Sequence, residues 1–325
     1  MRRTRPARAK TSPAAAPLAT AAKITAPRAK AARTKAARTK ATLPAVVALL
    51  LAVLASACGS ASSQPSGPAG TGIPAASHRA GPAARATAIR PAARGGPARL
   101  PPTASGPLDG KVVVVDPGHN GGNAAAGAII SRPVWNGRET EACDTAGTQT
   151  ADGYPESLFT WRVGLELTAD LRAEGASVVL TRTSDTGVGP CITRRAAIGN
   201  EAGADAAVSV HADGGPPGGR GFAILVPVAD GINDAIVGPS AVLGADLRAA
   251  FAAGTREPVS SYDGTNGIQP RDDLAGTNLS TVPKVFIECA NMRNAADAAL
   301  LTSPRWQAAA GRAMAAALTR FLLDG

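Results

Sequence analysis

Two histidines follow apolar runs that have the composition of buried β-strands. His119 comes shortly after the run Lys111–Asp116, and His211 ends the run Ala206–His211. Parallel strands of α/β proteins place functional sites at the carboxyl edge of the sheet, and neutral imidazole is a common metal ligand. A single histidine is more often a core or surface group. Two at strand ends, in a region that contains no others, favour a metal site.

Two glutamates stand where an unpaired carboxylate would be costly. Glu156 falls in the first turn of a predicted helix, on the same face as the apolar residues that continue to Leu167. Glu288 ends another apolar strand, where a carboxylate needs a compensating charge or metal. Glu139 and Glu141 lie in a predicted loop and are weaker candidates for a third ligand.

These residue types together predict hydrolytic metal chemistry. Two histidines and one glutamate with an open fourth position form a catalytic zinc arrangement, in which the metal acidifies water and polarises a carbonyl. Amide hydrolysis also needs a base that moves a proton from the water to the leaving nitrogen. We therefore predict one Zn²⁺ per chain on His119, Glu156 and His211, with Glu288 as the general base.

The elements that must position these residues alternate between strands and helices. Strands are predicted over Lys111–Asp116, Ala176–Thr181, Ala206–His211, Gly221–Pro227 and Lys284–Glu288, and helices over about Glu156–Glu174, Ile192–Ala202, Ser240–Ala253 and Pro304–Leu323. This alternation predicts an α/β fold with a largely parallel sheet.

The charge is divided unevenly along the chain, which has a net charge of +10. Residues 1–41 contain 12 Lys and Arg and no acidic residue, whereas residues 100–325 contain 17 basic and 24 acidic residues. A nucleic-acid-binding domain needs clustered cations on its folded surface, so no nucleic-acid partner is expected. Only 3% of the residues are aromatic, which also disfavours stacking on single strands.

The N-terminal region predicts export. The uncharged apolar run 43–57 is short for a membrane span but suits a signal peptide, and it ends in an Ala-x-Ala pattern. Cys58 follows, so the same bond is a candidate lipoprotein cleavage site, with membrane attachment through Cys58. An uncleaved anchor is the alternative. We predict a leader and signal peptide over 1–57, a disordered Pro/Gly/Ser/Ala-rich tether over 58–108, and one catalytic domain over 109–325.

Several motifs occur in an order that resembles a known family. They are Val113–His119, Glu156 before Gly175, Thr181–Asp185, Arg195–Asn200, Ser209–Asp213, and Pro283–Glu288 followed by Asn291 and Asn294. Together they resemble the zinc-dependent N-acetylmuramoyl-L-alanine amidases of bacterial cell walls, amidase type 3, and within it the actinobacterial single-domain branch. The motifs span nearly all of 111–323.

The resemblance implies a three-layer α/β domain of the phosphorylase/hydrolase-like kind, with a mostly parallel, mixed central sheet flanked by helices. It implies peptidoglycan and muropeptides as substrates and cleavage between the lactyl group of N-acetylmuramic acid and L-alanine. On the matching positions, it places zinc on His119, Glu156 and His211 and makes Glu288 the catalytic glutamate. It also implies action in the cell envelope; we expect a monomer.

Two features depart from the family pattern. A long insertion separates His119 from Glu156 and is a candidate flap over the site. Cys289 stands where a small residue is expected; we predict an inert packed thiol, with a nucleophile as the alternative.

The remaining candidates are a cysteine pair and some polar residues. In an exported protein, Cys143 and Cys191 are expected to form a disulfide, with two free thiols as the alternative. Asp116 either orients a ligand or caps a turn. The loop Arg271–Asp273 either contacts substrate or is simply solvated.

Three other functions remain open from the sequence. A zinc peptidase that cleaves another amide of the wall peptide would use the same metal site. A non-catalytic peptidoglycan-binding module would retain the fold without turnover. A cytoplasmic nucleic-acid binder would require residues 1–41 to remain in the mature protein.

Overall fold

A mixed seven-stranded sheet organises the residues described by the computed structural model, which are 97–324. The strands are β1 (Ala98–Leu100), β2 (Val112–Pro117), β3 (Pro133–Trp135), β4 (Thr140–Ala142), β5 (Ser177–Leu180), β6 (Ala206–Asp213), β7 (Ala223–Pro227), β8 (Ile268–Arg271) and β9 (Lys284–Asn291). The sheet order is β1-β5-β2-β6-β9-β7-β8, and β3 pairs with β4 separately. The pairs β1/β5 and β7/β9 are antiparallel and the others in the large sheet are parallel. The mostly parallel, mixed sheet is therefore confirmed.

Helices cover both faces of this sheet and make the domain three layers deep. They are α1 (Gly127–Ile130), α2 (Glu156–Ala173), α3 (Ile192–Glu201), α4 (Asp234–Thr255), α5 (Ala275–Asn278), α6 (Ala295–Leu301) and α7 (Pro304–Asp324). Helices α2, α4 and α7 pack together on one face, and α3 lies on the other beside α5. Helix α4 is long and apolar enough to span a membrane, but it packs on β7, β9 and α7 as a layer of this domain.

The alternation of side chains along β2 explains why its sequence is apolar throughout. Val113 and Val115 join the core formed with α2 and α7, whereas Val114 packs with Ile198 of α3 on the opposite face. Successive side chains of a strand point to opposite faces, so a strand covered on both sides needs apolar residues at every position. Asp116 continues the α3 face and is 2% exposed, so its carboxylate needs buried partners.

The boundary between tether and domain is wrong in the sequence prediction. Residues 97–108 were assigned to the tether, but β1 pairs with β5 and Leu108 is completely buried. The backbone N–H of Leu108 also donates to the carbonyl of Glu174 beyond α2 (2.8 Å). A strand of only three residues at the edge of the sheet, in a Pro/Gly/Ala-rich segment, is too short to show the alternation of apolar and polar residues that predicts a strand. The predicted leader, the predicted signal peptide, Cys58 and the rest of the predicted tether lie outside the described residues.

The predicted strands and long helices are present, and the differences concern short or irregular elements. The hairpin β3/β4, strand β8 and helices α1, α5 and α6 were not predicted, because segments of three to seven residues show almost no periodicity. Helix α4 begins at Asp234 rather than Ser240 and contains Pro239. Proline inside a helix disfavours the preceding turn, which is why the sequence suggested a later start.

The insertion between His119 and Glu156 is folded rather than open loop. It contains a 3₁₀ turn (Asn123–Ala125), α1 and the β3/β4 hairpin. The predicted disulfide joins Cys143, just after β4, to Cys191 before α3. Next to it, the N–H of Ile192 donates to the carbonyl of Cys143 (2.8 Å). The insertion is therefore attached to the α3 side of the domain.

Removing this cross-link should destabilise the domain. The double variant Cys143→Ser with Cys191→Ser is expected to lose about 2–4 kcal/mol of unfolding free energy, because a native disulfide restricts the unfolded chain. Urea denaturation followed by circular dichroism measures the change. Reductant should lower the stability of the unmodified protein towards that of the double variant and leave the variant unchanged. Equal stability of the oxidised protein and the double variant would contradict this role.

Candidate metal centre

The first histidine leaves β2 in an unusual backbone conformation. His119 has φ of +56°, in the left-handed region that non-glycine residues rarely adopt, and such strain is found mainly at functional sites. Gly118 before it permits close approach of the second histidine: a Cβ there would lie 2.2 Å from Cε1 of His211. The two imidazole rings consequently stand edge to face with centroids 5.0 Å apart.

Glu156 lies between the two rings. Its Oε1 is 3.2 Å from Nε2 of His119 and 3.1 Å from Nδ1 of His211. Backbone N–H groups hold the carboxylate, since Thr148 donates to Oε2 (2.9 Å) and Ala212 to Oε1 (3.2 Å). One potential ligand atom from each of His119, Glu156 and His211 lies within 4.8 Å of the others. Two imidazole nitrogens and a carboxylate oxygen in this arrangement could hold a metal ion.

The other ring nitrogen of His119 faces acceptors that the sequence did not identify. Nδ1 lies 3.3 Å from Oδ1 of Asp144 and 3.2 Å from the carbonyl oxygen of Thr145. A proton on Nδ1 satisfies these acceptors and leaves Nε2 free to coordinate, which is how outer carboxylates fix metal-binding histidines. The indication in the sequence that Asp144 lies at a fixed position is that it directly follows Cys143, which forms the disulfide with Cys191.

Arg195 of α3 ties these groups to the end of β2. Its guanidinium donates to Oδ1 of Asp116 (2.9 Å), to the carbonyl oxygens of Pro117 and His119 (both 2.8 Å), and weakly to Asp144 (3.4 Å). The strained loop before His119 is therefore fixed by a buried charge-assisted network. The sequence placed Arg195 in a family motif without assigning this contact.

Of the two roles expected for Asp116, its contacts favour support of a ligand over capping of a turn. Besides Arg195, its carboxylate binds Lys284 (3.1 Å) and accepts from the hydroxyls of Thr181 (2.6 Å) and Ser209 (2.5 Å). Burial would raise its pKa, but Lys284 and Arg195 together hold the pKa well below the usual range. Asp116 thus acts on the centre through Arg195.

Glu288 reaches the same cavity from the neighbouring strand. It lies opposite His211 in the parallel pairing of β6 and β9. Glu288, His119, Glu156 and His211 all line one open cavity of about 310 Å³. Oε2 of Glu288 is buried without a hydrogen-bond partner among the described residues. The carboxylate is therefore available to a bound molecule.

The electrostatics of the centre favour a cation. Burial lowers the pKa of His119, but Glu156 and Asp144 outweigh it and raise that pKa to about 10. Burial raises the pKa of Glu156, yet both imidazoles outweigh it and lower the value. Burial, Glu156 and Asp213 raise the pKa of Glu288 well above its usual range. The negative field of the clustered carboxylates therefore favours a bound cation, such as a metal ion.

Other candidate residues do not belong to the cluster of potential ligands. Glu139 and Glu141 belong to the β3/β4 segment and do not join the cluster. Arg271 forms a two-point ion pair with Asp273 (2.7 and 2.6 Å). Cys289 is a buried free thiol whose pKa is raised by burial and by Glu288, which agrees with a packed, unreactive role.

The fold and the convergent side chains define a three-layer α/β domain with a candidate metalloenzyme centre at the carboxyl edge of its parallel strands. Residues 113–320 match the N-acetylmuramoyl-L-alanine amidase family. The N-acetylmuramoyl-L-alanine amidase Rv3717 of Mycobacterium tuberculosis is 41% identical over 216 residues, which are 66% of this chain and 88% of that protein. The chain therefore belongs to the N-acetylmuramoyl-L-alanine amidase family of peptidoglycan hydrolases.

Two crystal structures support the same assignment. Ami1 from Mycobacterium smegmatis is 42% identical with a TM-score of 0.64, and the match covers 67% of this chain and 99% of that one. The apo form of Ami1 from Mycobacterium abscessus is 40% identical with a TM-score of 0.62, covering 66% of this chain and all of that one (100%).

Substituting Gly118 tests the packing of the centre. Gly118→Ala should displace the His211 ring and weaken the binding of a metal ion such as Zn²⁺ about 10–100-fold, the usual cost of disturbing groups that position a ligand. Competition with a chromogenic chelator measures the affinity. Gly127→Ala is the matched control, because a Cβ at Gly127 meets no atom of residues 97–324 within 4 Å. Unchanged zinc affinity in Gly118→Ala would contradict the ligand role of His211.

Proposed function

We propose that this protein is an exported zinc-dependent amidase that hydrolyses the amide between the lactyl group of N-acetylmuramic acid and L-alanine of the stem peptide. The observation that carries the proposal is the convergence of His119, Glu156, His211 and Glu288 on one cavity. It occurs in a chain that belongs to the N-acetylmuramoyl-L-alanine amidase family.

The side chains present fit one zinc ion. His119, Glu156 and His211 would hold it, since imidazole nitrogen and carboxylate oxygen are normal zinc ligands and three protein ligands leave an open position. When bound, zinc supplies Lewis-acid chemistry by polarising the amide carbonyl and acidifying water. Asp144 orients His119 through Nδ1, and Arg195 fixes the backbone from which His119 projects.

Glu288 moves the proton. Its carboxylate accepts a proton from the water whose oxygen attacks the lactyl carbonyl carbon. As the carbon–nitrogen bond breaks, Glu288 returns the proton to the leaving nitrogen of L-alanine. The products are a lactyl carboxylic acid on the sugar and a stem peptide with a free amino terminus. The unpartnered Oε2 is the atom available for this transfer.

Two alternatives share parts of this account. A zinc peptidase would use the same four residues on a different amide, because the scissile bond is chosen by the surrounding groove. A non-catalytic wall-binding module would have no need of Glu288 beside the ligand cluster. We further propose action in the cell envelope by a monomer, after export and either release or membrane attachment through Cys58.

Mass spectrometry of muropeptides distinguishes these functions. Incubation with the protein should release stem peptides that begin with free L-alanine, and a chelator should abolish the release until zinc is restored. Products cut at another amide would favour the peptidase. Intact muropeptides with zinc-loaded protein would contradict turnover.

Replacing Glu288 tests the proton-transfer role separately from metal binding. Glu288→Gln should lower kcat about 10²–10⁴-fold, the usual contribution of general acid–base catalysis, and retain one zinc ion per chain. Glu201→Gln is a control, because Glu201 is exposed and pairs with Arg194 away from the cavity. Activity above a tenth of the original in Glu288→Gln would remove Glu288 as the base.

A further inference from the structure

A second cavity, of about 280 Å³, adjoins the candidate metal centre. Gly147 and Thr148 line both cavities, so the two cavities share part of their walls. Asn120 and Ser157, which directly follow two of the convergent side chains in sequence, contribute to its wall. A ligand group in this cavity, called here the Asn120 cavity, would therefore lie next to the reacting amide.

Asn120, one of the residues that line this cavity, has a buried side-chain acceptor without a partner among the described residues. The residue is 3% exposed, and its amide nitrogen donates to the carbonyl oxygens of Thr186 and Gly187. These two hydrogen bonds assign the nitrogen and the oxygen of the Asn120 side-chain amide, because only the nitrogen can donate to the two carbonyl oxygens. Oδ1 is left buried with no partner among the described residues. Such an acceptor can be satisfied by a donor from a bound molecule or by ordered water.

The other residues that line the Asn120 cavity contribute no uncompensated charge. Gln149 and Ser157 supply amide and hydroxyl groups, and Ala124 and Leu158 supply apolar surface. Its one carboxylate, Asp185, is neutralised by Arg182, whose guanidinium donates to Oδ1 (3.0 Å). The lining therefore suits a neutral group with both polar and apolar parts.

The residues around Glu288 are charged, in contrast to those that line the Asn120 cavity. Asp213 lines the catalytic cavity together with Glu288. Asp263 and Arg271 lie close enough to Glu288 to interact with it electrostatically. This side of the catalytic cavity suits a ligand that carries charges of both signs.

We propose that the Asn120 cavity binds the N-acetylmuramoyl residue, which places the glycan on the His119 side of the scissile amide and the stem peptide on the Glu288 side. This inference rests on the proposed function. A muramoyl residue amidated at its lactyl group is uncharged, and its acetamido group offers an N–H to Oδ1 of Asn120 and a methyl group to Leu158. The stem peptide carries carboxylates and amines, which match the charged side.

Binding of a peptide-free sugar tests the cavity without any turnover. The probe is the disaccharide of N-acetylglucosamine and N-acetylmuramic acid with its lactyl carboxyl group converted to the N-methylamide, which makes it uncharged, titrated into metal-free ¹⁵N-labelled protein. The side-chain amide of Asn120 and the backbone amides of Gly147 and Thr148 should shift on addition of the sugar. Ala124→Trp, which fills the exposed edge of the cavity, should abolish those shifts, whereas Ala128→Trp, an exposed position of α1 outside both cavities, should not.

Kinetics on paired substrates provide the second measurement. A disaccharide tetrapeptide and a lactoyl tetrapeptide contain the same scissile amide and differ only in the sugar. Ala124→Trp should raise KM for the disaccharide tetrapeptide about tenfold relative to the lactoyl tetrapeptide, the loss expected from one lost binding contact. Gln149→Ala should also raise KM for the disaccharide tetrapeptide relative to KM for the lactoyl tetrapeptide. This substitution disturbs the shape of the cavity less than Ala124→Trp does.

The outcomes separate this inference from the proposed function. Sugar-dependent shifts that Ala124→Trp removes would support the subsite even if no amide were cleaved. Hydrolysis in which Ala124→Trp affects both substrates equally, with no shifts at Asn120, would leave the amidase proposal intact and overturn the subsite. Shifts produced by stem peptide but not by the disaccharide would reverse the assigned polarity and also overturn it.

Discussion

The carboxylate of Glu156 between two imidazoles is the interaction on which the site depends. A nearly buried carboxylate is costly, and this one is compensated by two ring nitrogens at 3.1 and 3.2 Å and by two backbone N–H groups. It also opens α2, where the positive end of the helix dipole favours an anion. The same carboxylate links β2, α2 and β6, so the centre is assembled only when the three-layer fold is complete.

Two glycines leave room for the close packing of Glu156 and the two imidazole rings. Gly118 allows the His211 ring to approach β2, and Gly147, with φ of +76°, lies where a Cβ would be 2.8 Å from both Oε2 of Glu156 and Cδ2 of His119. The insertion that carries Gly147 also supplies Asp144 and Thr148. It therefore forms part of the wall and the hydrogen-bonding support of the centre, and the disulfide at Cys143 holds that support in place.

The sequence predicts the four convergent residues because each breaks a pattern. His119, His211 and Glu288 are polar groups at the ends of apolar strands, and Glu156 is a charge on an apolar helical stripe. The supporting network was not predictable in the same way. Asp144 lies in an irregular segment, and the contacts of Arg195 depend on how α3 packs against β2. Periodicity also missed β1, where pairing with β5 outweighs a composition typical of a tether.

Anomalous diffraction at the zinc edge from zinc-loaded crystals of the full chain would locate the metal ion and its ligands. We expect one strong peak at about 2.0–2.3 Å from a ring nitrogen of His119, a ring nitrogen of His211 and an oxygen of Glu156, with Glu288 outside coordination distance. A peak coordinated by a different set of residues, or coordination by Glu288 in place of Glu156, would contradict this metal centre.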